Sequence, residues 1–155
     1  YFTRGTGHKP DAGYSEDNQV YRELLTRLKN KLNTAKSMVP KPEVQVNESA
    51  DVGLIAYGST GAAIAESQEL LATQNIQTSY LRLRAYPFTE ELDEFIDRHQ
   101  HVYVIDQNRD AQMHHLILKA RPDAWNKVKS VRQFDGLPIQ ADYISQEILL
   151  QQEKI

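Results

Sequence analysis

Asp51-Val-Gly-Leu-Ile-Ala-Tyr-Gly-Ser-Thr60 decides the fold. Val52 to Tyr57 is a near-continuous apolar run of strand length, without the alternation of a sheet that faces water on one side. Such a strand is covered by helices on both faces. Gly58-Ser-Thr-Gly61 then supplies a turn, with Ser59 or Thr60 as the expected N-cap of a following helix. That helix carries Ala63, Ile64, Ser67, Leu70 and Leu71 at helical spacing and stops near Gln74-Asn75. Strand, turn and helix in this order open a parallel βαβ unit.

The same alternation continues downstream. Ile76 to Leu83 reads as a second strand, and its Tyr80-Leu-Arg-Leu-Arg84 alternates as a strand nearer the sheet edge does. Pro87 and Thr89 open a helix with Glu90 and Glu91 in its first turn, where the helix dipole favours negative charge. Leu92, Phe95 and Ile96 form its inward stripe. His101-Val-Tyr-Val-Ile-Asp106 is a third strand, Asn108 or Asp110 caps a helix through Leu116, Ile117 and Leu118, and Pro122 ends it. Val128 to Phe134 gives a fourth strand, and Ala141 to Gln151 a terminal helix with Ile144, Ile148 and Leu149. The expected architecture is a three-layer α/β/α domain with a mainly parallel sheet.

Upstream, residues 1–16 have loop composition, and Tyr1 and Phe2 suggest an arm docked on a surface. Ser15-Glu-Asp-Asn18 can cap an amphipathic helix carrying Val20, Leu24, Leu28, Leu32 and Ala35, which ends near Met38 ahead of Pro40 and Pro42. Val39 to Ser49 reads as an extended linker. The chain therefore divides into 1–49, an N-terminal arm, helix and Pro-containing linker, and 50–155, the α/β domain. Tyr1 and the phrase after it do not read as a natural start, so a piece of a longer protein is expected.

A length of 155 residues allows one core, and the net charge of −3 supplies no field for nucleic acid. No window approaches the roughly 20 apolar residues of a membrane span. Without cysteine there are no disulfides, thiolate zinc sites, protein-ligated iron–sulfur clusters or cysteine nucleophiles. A cytoplasmic location is compatible with this.

Chemistry could sit in few places. Gly58, Ser59, Thr60 and Gly61 lie at the carboxyl end of a strand and the start of a helix, where an anion can bind. The turn lacks the Gly-Lys-Ser of a Walker motif and the three glycines of a dinucleotide fingerprint, so a capped turn is the stronger reading. His99 and His101, and the adjacent His114-His115, read as surface histidines with no third ligand at metal spacing. Asp106 to Asp110 is a polar loop at a strand's carboxyl end. Arg4, Thr6 and His8, with Asn108, Arg109 and Asp110, are candidates for an interface. No Ser/His/Asp set, paired carboxylate or metal cluster emerges, and no residue is assigned a catalytic role.

Taken together, Asp51 to Thr60, Ile76 to Phe88 and Val102 to Asp106 resemble the C-terminal domain of the transketolase superfamily. Tyr1-Phe-Thr-Arg-Gly-Thr-Gly-His8, Tyr14-Ser-Glu16, Leu81-Arg-Leu-Arg-Ala85, Asn108-Arg-Asp110 and Asp135-Gly-Leu-Pro138 resemble one branch. That branch is the alpha subunit of 2-oxoacid:ferredoxin oxidoreductases, the 2-oxoglutarate type in particular. Gly7 stands where related subunits often carry Glu before the histidine.

The resemblance implies a parent enzyme that converts a 2-oxoacid and CoA to acyl-CoA and CO2 while reducing ferredoxin. It implies thiamine diphosphate, Mg2+ and an iron–sulfur cluster in that parent, none of them bound by this fragment. The implied partners are the beta subunit and upstream domains of the alpha subunit, with ferredoxin and CoA for the whole complex. A homodimer is a further expectation, since related domains pair in their parent enzymes. The competing expectation is a stand-alone nucleotide- or phosphate-binding module using Gly58 to Gly61.

Overall fold

The computed structural model describes residues 7–153. Its contacts divide the chain into two compact units, Tyr1–Val39 with Tyr86–Phe88, and Pro40–Ala85 with Thr89–Ile155. The expected contacts of Arg4 and Thr6 lie outside the described residues.

In the first unit the chain makes a tight turn before its helix. The Lys9 N–H donates to the Gly13 carbonyl at 2.8 Å and the Ala12 N–H to the Lys9 carbonyl at 2.9 Å. Ala12 adopts φ 67°, and His8 pairs with Tyr14 in an isolated antiparallel bridge. Helix α1, Asn18–Ala35, follows. Of the expected capping cluster, Asp17 does the capping, since its carboxylate accepts from the N–H groups of Gln19 at 2.8 Å and Val20 at 3.0 Å. No residue of α1 is buried. In the same unit Tyr86–Pro87 is a cis peptide, and the rings of Tyr86 and Phe88 meet edge to face at 5.2 Å.

The second unit holds a five-stranded sheet in the order β1-β3-β2-β4-β5. The strands are β1 Glu43–Gln45, β2 Val52–Tyr57, β3 Thr78–Leu83, β4 His101–Asp106 and β5 Val128–Arg132. Helices α2 Gly61–Thr73, α3 Glu90–Arg98, α4 Gln112–Ala120 and α5 Ala141–Gln152 connect or follow them. All neighbours pair in parallel except β1, which runs antiparallel to β3.

The two faces of β2 show why its sequence does not alternate. Val52, Leu54 and Ala56 join Ile64 and Leu71 of α2 and Ile144 and Ile148 of α5 in one apolar cluster, with Tyr80, Tyr103, Ile105 and Val131 from the neighbouring strands. Gly53 faces the other way, and a Cβ there would lie 2.6 Å from Phe95 Cε1, so α3 rests directly on the strand. Both faces are dry, and the three-layer α/β/α arrangement follows.

Strand β1 lies inside the stretch expected to be linker. Val44 pairs with Leu81 and Glu43 with Arg82, so part of that stretch belongs to the sheet. Its cover explains why β3, read as near the edge, is buried at every position except Arg82.

The far edge of the sheet is closed differently. The Lys127 carbonyl and the Gln133 N–H of the β5 segment bond inward to β4, so the carbonyls of Val128, Ser130 and Arg132 point outward. Each meets a side chain: His114 Nε2 at 3.2 Å, Gln151 Nε2 at 3.1 Å and the Tyr143 hydroxyl at 2.7 Å. Arg121 ties α3 to the loop after α4. Its guanidinium holds Asp97 at 2.6 Å, Asp123 at 2.7 Å and Asp93 at 3.3 Å.

Candidate functional site

The chain passes from β2 to β3 on one side, and then through α3 to β4 on the other side of β2. The carboxyl ends of β2 and β4 therefore flank a topological switch point, the place where open α/β sheets bind ligands. The expected anion turn stands there.

Gly58 takes φ 58°, a conformation that favours glycine, and Gly58–Thr60 form a single 3₁₀ turn that runs into α2. The cap expectation fails at Ser59 and Thr60, because neither side chain bonds the helix start. Thr60 is instead 3% exposed, and its hydroxyl accepts from Gln107 Nε2 at 2.9 Å. The same Gln107 accepts the Ile139 N–H at 3.3 Å through Oε1. One side chain thus ties the turn after β2 to the loop that leads into α5. Beside it lies an open depression of about 360 Å³ lined by Ser59, Gln107, Gln133, Phe134, Leu137 and Pro138. Phe134 and Leu137 are 63% and 66% exposed.

At the end of β4, Asn108 and not Asp110 bonds the start of the next helix. Ala111, at φ 50°, precedes α4, and the Asp110 side chain gives the helix no cap. Asn108 Oδ1 accepts from the N–H groups of Asp110 at 2.9 Å and Gln112 at 3.3 Å. Asp106, fully buried, contributes more: Oδ2 accepts the Met113 N–H at 3.0 Å and Oδ1 accepts the Tyr57 hydroxyl at 2.7 Å. Burial and this bond push the Tyr57 phenol up to about 12, so it stays a donor at any physiological pH. Arg109 and Asp110 pair with each other at 2.7 Å on the surface, and the bond raises the guanidinium and lowers the carboxyl. The sequence reading placed Asp106 in a polar loop at the carboxyl end of a strand but missed Tyr57 and the bond between them. The available signal was a Tyr and an Asp closing two otherwise apolar strands.

Of the histidines expected at the surface, His115 is exposed, whereas His99 is buried and His101 and His114 are partly buried. His99 is 1% exposed, its Nδ1 lies 2.7 Å from the Phe95 carbonyl, and its ring centroid is 4.4 Å from that of Phe95. His114 is half-buried beneath β5. Burial holds both imidazoles below the ordinary value of 6.5. Arg98 and Lys127 add to this at His99, while the Phe95 carbonyl and Asp51 oppose it. A lowered folded value means that the unfolded chain takes up the proton first as pH falls. Stability should therefore decline as pH drops below about 6.5, and go on declining until the folded imidazoles titrate. A lower urea midpoint at about pH 5.5 than at about pH 7.5 is expected, with a shallower slope in His99→Gln. An identical slope in that variant would remove His99 from the account. Among the described residues no three His, Cys, Asp or Glu side chains could hold a metal ion together.

Set against known proteins, this arrangement of strands has a clear likeness. No family model matches the chain. Among solved structures, 2-oxoglutarate:ferredoxin oxidoreductase from Magnetococcus marinus superposes with a TM-score of 0.77 at 22% identity, over 96% of this chain and 26% of that one. The inactive beta4 tetramer of a split-gene transketolase superposes with a TM-score of 0.59 at 15% identity, over 71% of this chain and 40% of that one. The fold resembles the transketolase C-terminal domain. Among curated proteins, the alpha subunit of 2-oxoacid:ferredoxin oxidoreductase 2 of Aeropyrum pernix is 26% identical over 137 residues, which is 82% of this chain. The chain spans 20% of the length of that curated relative. This transketolase C-terminal-like domain thus shares sequence with an oxidoreductase alpha subunit, and its switch point is laced by Gln107. No helix among the described residues is long and apolar enough to cross a membrane.

Proposed function

We propose that the chain is a non-catalytic assembly domain of the alpha subunit of a thiamine diphosphate-dependent 2-oxoacid:ferredoxin oxidoreductase, of the 2-oxoglutarate type. The observation that carries this is the sequence match to an alpha subunit over 82% of the chain. The parent enzyme would convert a 2-oxoacid and CoA to acyl-CoA and CO2 and reduce ferredoxin, in the cytoplasm. Its beta subunit and the upstream domains of the alpha subunit are the proposed partners.

Helix α1 supports an assembly role. Its Tyr21, Leu25, Leu28 and Leu32 are 53%, 49%, 45% and 45% exposed, a run of large apolar side chains of the kind that marks protein contact surfaces. The parent's iron–sulfur cluster does not fit the residues here. The chain has no cysteine to ligate a cluster, and among its described residues no three His, Cys, Asp or Glu side chains are grouped as metal ligands. Accordingly no chemical step is assigned to this chain. Its role would be to hold subunits in register.

Calorimetric titration of the isolated chain with thiamine diphosphate and Mg2+ is expected to give no heat of binding. Micromolar affinity without a partner would overturn the assembly reading. Sequencing the gene upstream tests the family directly, and a Tyr-Pro-Ile-Thr-Pro phrase is expected there.

A further inference from the structure

Helix α1 carries two apolar stripes. Val20 and Leu24 are partly buried and, with Pro10 of the preceding turn, line a groove of about 490 Å³ within their own unit. Beside them runs a second stripe at Tyr21, Leu25, Leu28 and Leu32, whose side chains are between 45% and 53% exposed. From Asn18 through this stripe to Ala35 the steps alternate between three and four residues. That alternation is a heptad seam, the pattern by which one helix packs along another. It extends over about two and a half heptads, the scale of a docking contact and not of a free-standing coiled coil.

The residues bordering the seam are basic. With Leu25 and Leu32 at heptad position a, and Tyr21 and Leu28 at d, Arg22, Lys29 and Lys36 fall at e and Lys31 at g. No ion pair among the described residues involves any of these four cations. Asp17, at the g position ahead of the helix, is already engaged by the N–H groups of Gln19 and Val20. A second copy of this chain therefore fits badly. In a parallel pair Lys31 would face Lys36 of the other copy, and in an antiparallel pair with Leu25 against Leu28, Arg22 would face Lys29. Like charges at these positions oppose pairing. A lipid surface also fits badly, because cations border a narrow seam where an interfacial helix presents a broad apolar face.

We infer that the Tyr21–Leu32 seam of α1 receives an amphipathic helix of another subunit, one with apolar residues along its own seam and Glu or Asp at the flanking positions. The apolar side chains of the two helices interdigitate, and the acids pair with Arg22, Lys29, Lys31 and Lys36. This inference rests on the assembly role proposed above and deepens it by naming the chemistry of the partner.

The test uses two fluorescent three-heptad peptides with Leu at every a and d position, one carrying Glu at e and g and the other Lys. Each is titrated with the chain and followed by anisotropy. The Glu peptide is expected to saturate with a Kd of about 10–100 μM. Its affinity should fall about tenfold from low to high salt, while the Lys peptide stays unbound. Leu28→Ser should weaken binding at least about tenfold; no residue of α1 is buried, so the variant retains the fold. Lys29→Glu combined with Lys31→Glu should exchange the preference between the peptides. Leu137→Ser, on an exposed loop of the other unit, should leave the affinity within about twofold. Equal binding of both peptides, no saturation by the Glu peptide, or an unchanged Kd in Leu28→Ser would overturn the inference. So would tighter capture by phosphatidylserine-containing vesicles than by the Glu peptide, or a dimer of the chain alone that Leu28→Ser abolishes. The thiamine diphosphate titration separates the two readings. Heat in that titration with peptide binding intact would remove the non-catalytic role and leave the seam, whereas no heat and no peptide binding would remove the seam alone.

Discussion

An Asp106→Leu chain is expected to lose about 2–4 kcal/mol of stability in the sheet unit, read from urea denaturation by circular dichroism. Asp106 is fully buried, and each of its oxygens has one donor: the Tyr57 hydroxyl at 2.7 Å and the Met113 N–H at 3.0 Å. Leu fills similar space but leaves both donors without an acceptor, at about 1–3 kcal/mol each. At the start of α4 the Met113 N–H loses its acceptor, while Asn108 Oδ1 still accepts from Gln112 at 3.3 Å. Both bonds end on one side chain and are not additive, which keeps the total below the simple sum. Asp106→Asn separates the contributions. Its amide oxygen still accepts one bond, and the Tyr57 hydroxyl can turn to accept from the new NH2, so a loss of about 1–2 kcal/mol is expected. A Leu variant within about 0.5 kcal/mol of the parent chain would show that the bonds carry no net stability.

Gly53→Ala should be costly for a steric reason. The added Cβ would lie 2.6 Å from Phe95 Cε1 and 3.0 Å from His99 Nδ1. β2 is bonded to β3 on one side and β4 on the other, so its backbone has no room to recoil. Moving Phe95 instead disturbs a side chain that is 3% exposed in the α3 layer. Overpacking of this kind costs about 1–3 kcal/mol, and the upper end applies where the neighbours are fixed. Adding Phe95→Leu should return part of the loss in a double-mutant cycle, because the smaller side chain vacates the contact. Simple additivity of the two changes would remove the collision as the cause.

Local patterns made most of the fold legible. The run Val52 to Tyr57 predicts a doubly covered strand because burial on both faces suppresses alternation. Pro40, Pro42 and Pro122 stop helices for reasons contained in their own rings. Leu92, Phe95 and Ile96 place the inner face of α3 by spacing alone. Contacts between distant residues were not legible. Strand β1 is three residues long and wholly exposed, and it becomes a strand through pairing with Glu43↔Arg82 and its neighbours. The site shows the same limit. Asn108 accepts from the first residue of α4 as its position suggests, whereas the second acceptor there, Asp106, comes from the end of β4 and is seen only in the fold. Thr60 looks like a cap, yet Gln107, 47 residues away, takes its hydroxyl. His99 follows a helix and precedes a strand, a place that reads as surface until Gly53 opens a pocket for its ring.

The side chains that close the outer rim of β5 bear on how this domain can associate. His114, Gln151 and Tyr143 occupy the carbonyls onto which a neighbouring chain would have to zip. At the opposite rim, β1 offers three residues and is preceded by Pro40 and Pro42, which have no N–H to give. Growth by strand addition is therefore discouraged at both ends, which protects against fibrillar stacking at high concentration. Recognition by other molecules is left to side-chain surfaces such as the apolar ridge of α1, where specificity comes from shape and charge and not from the generic grammar of the backbone.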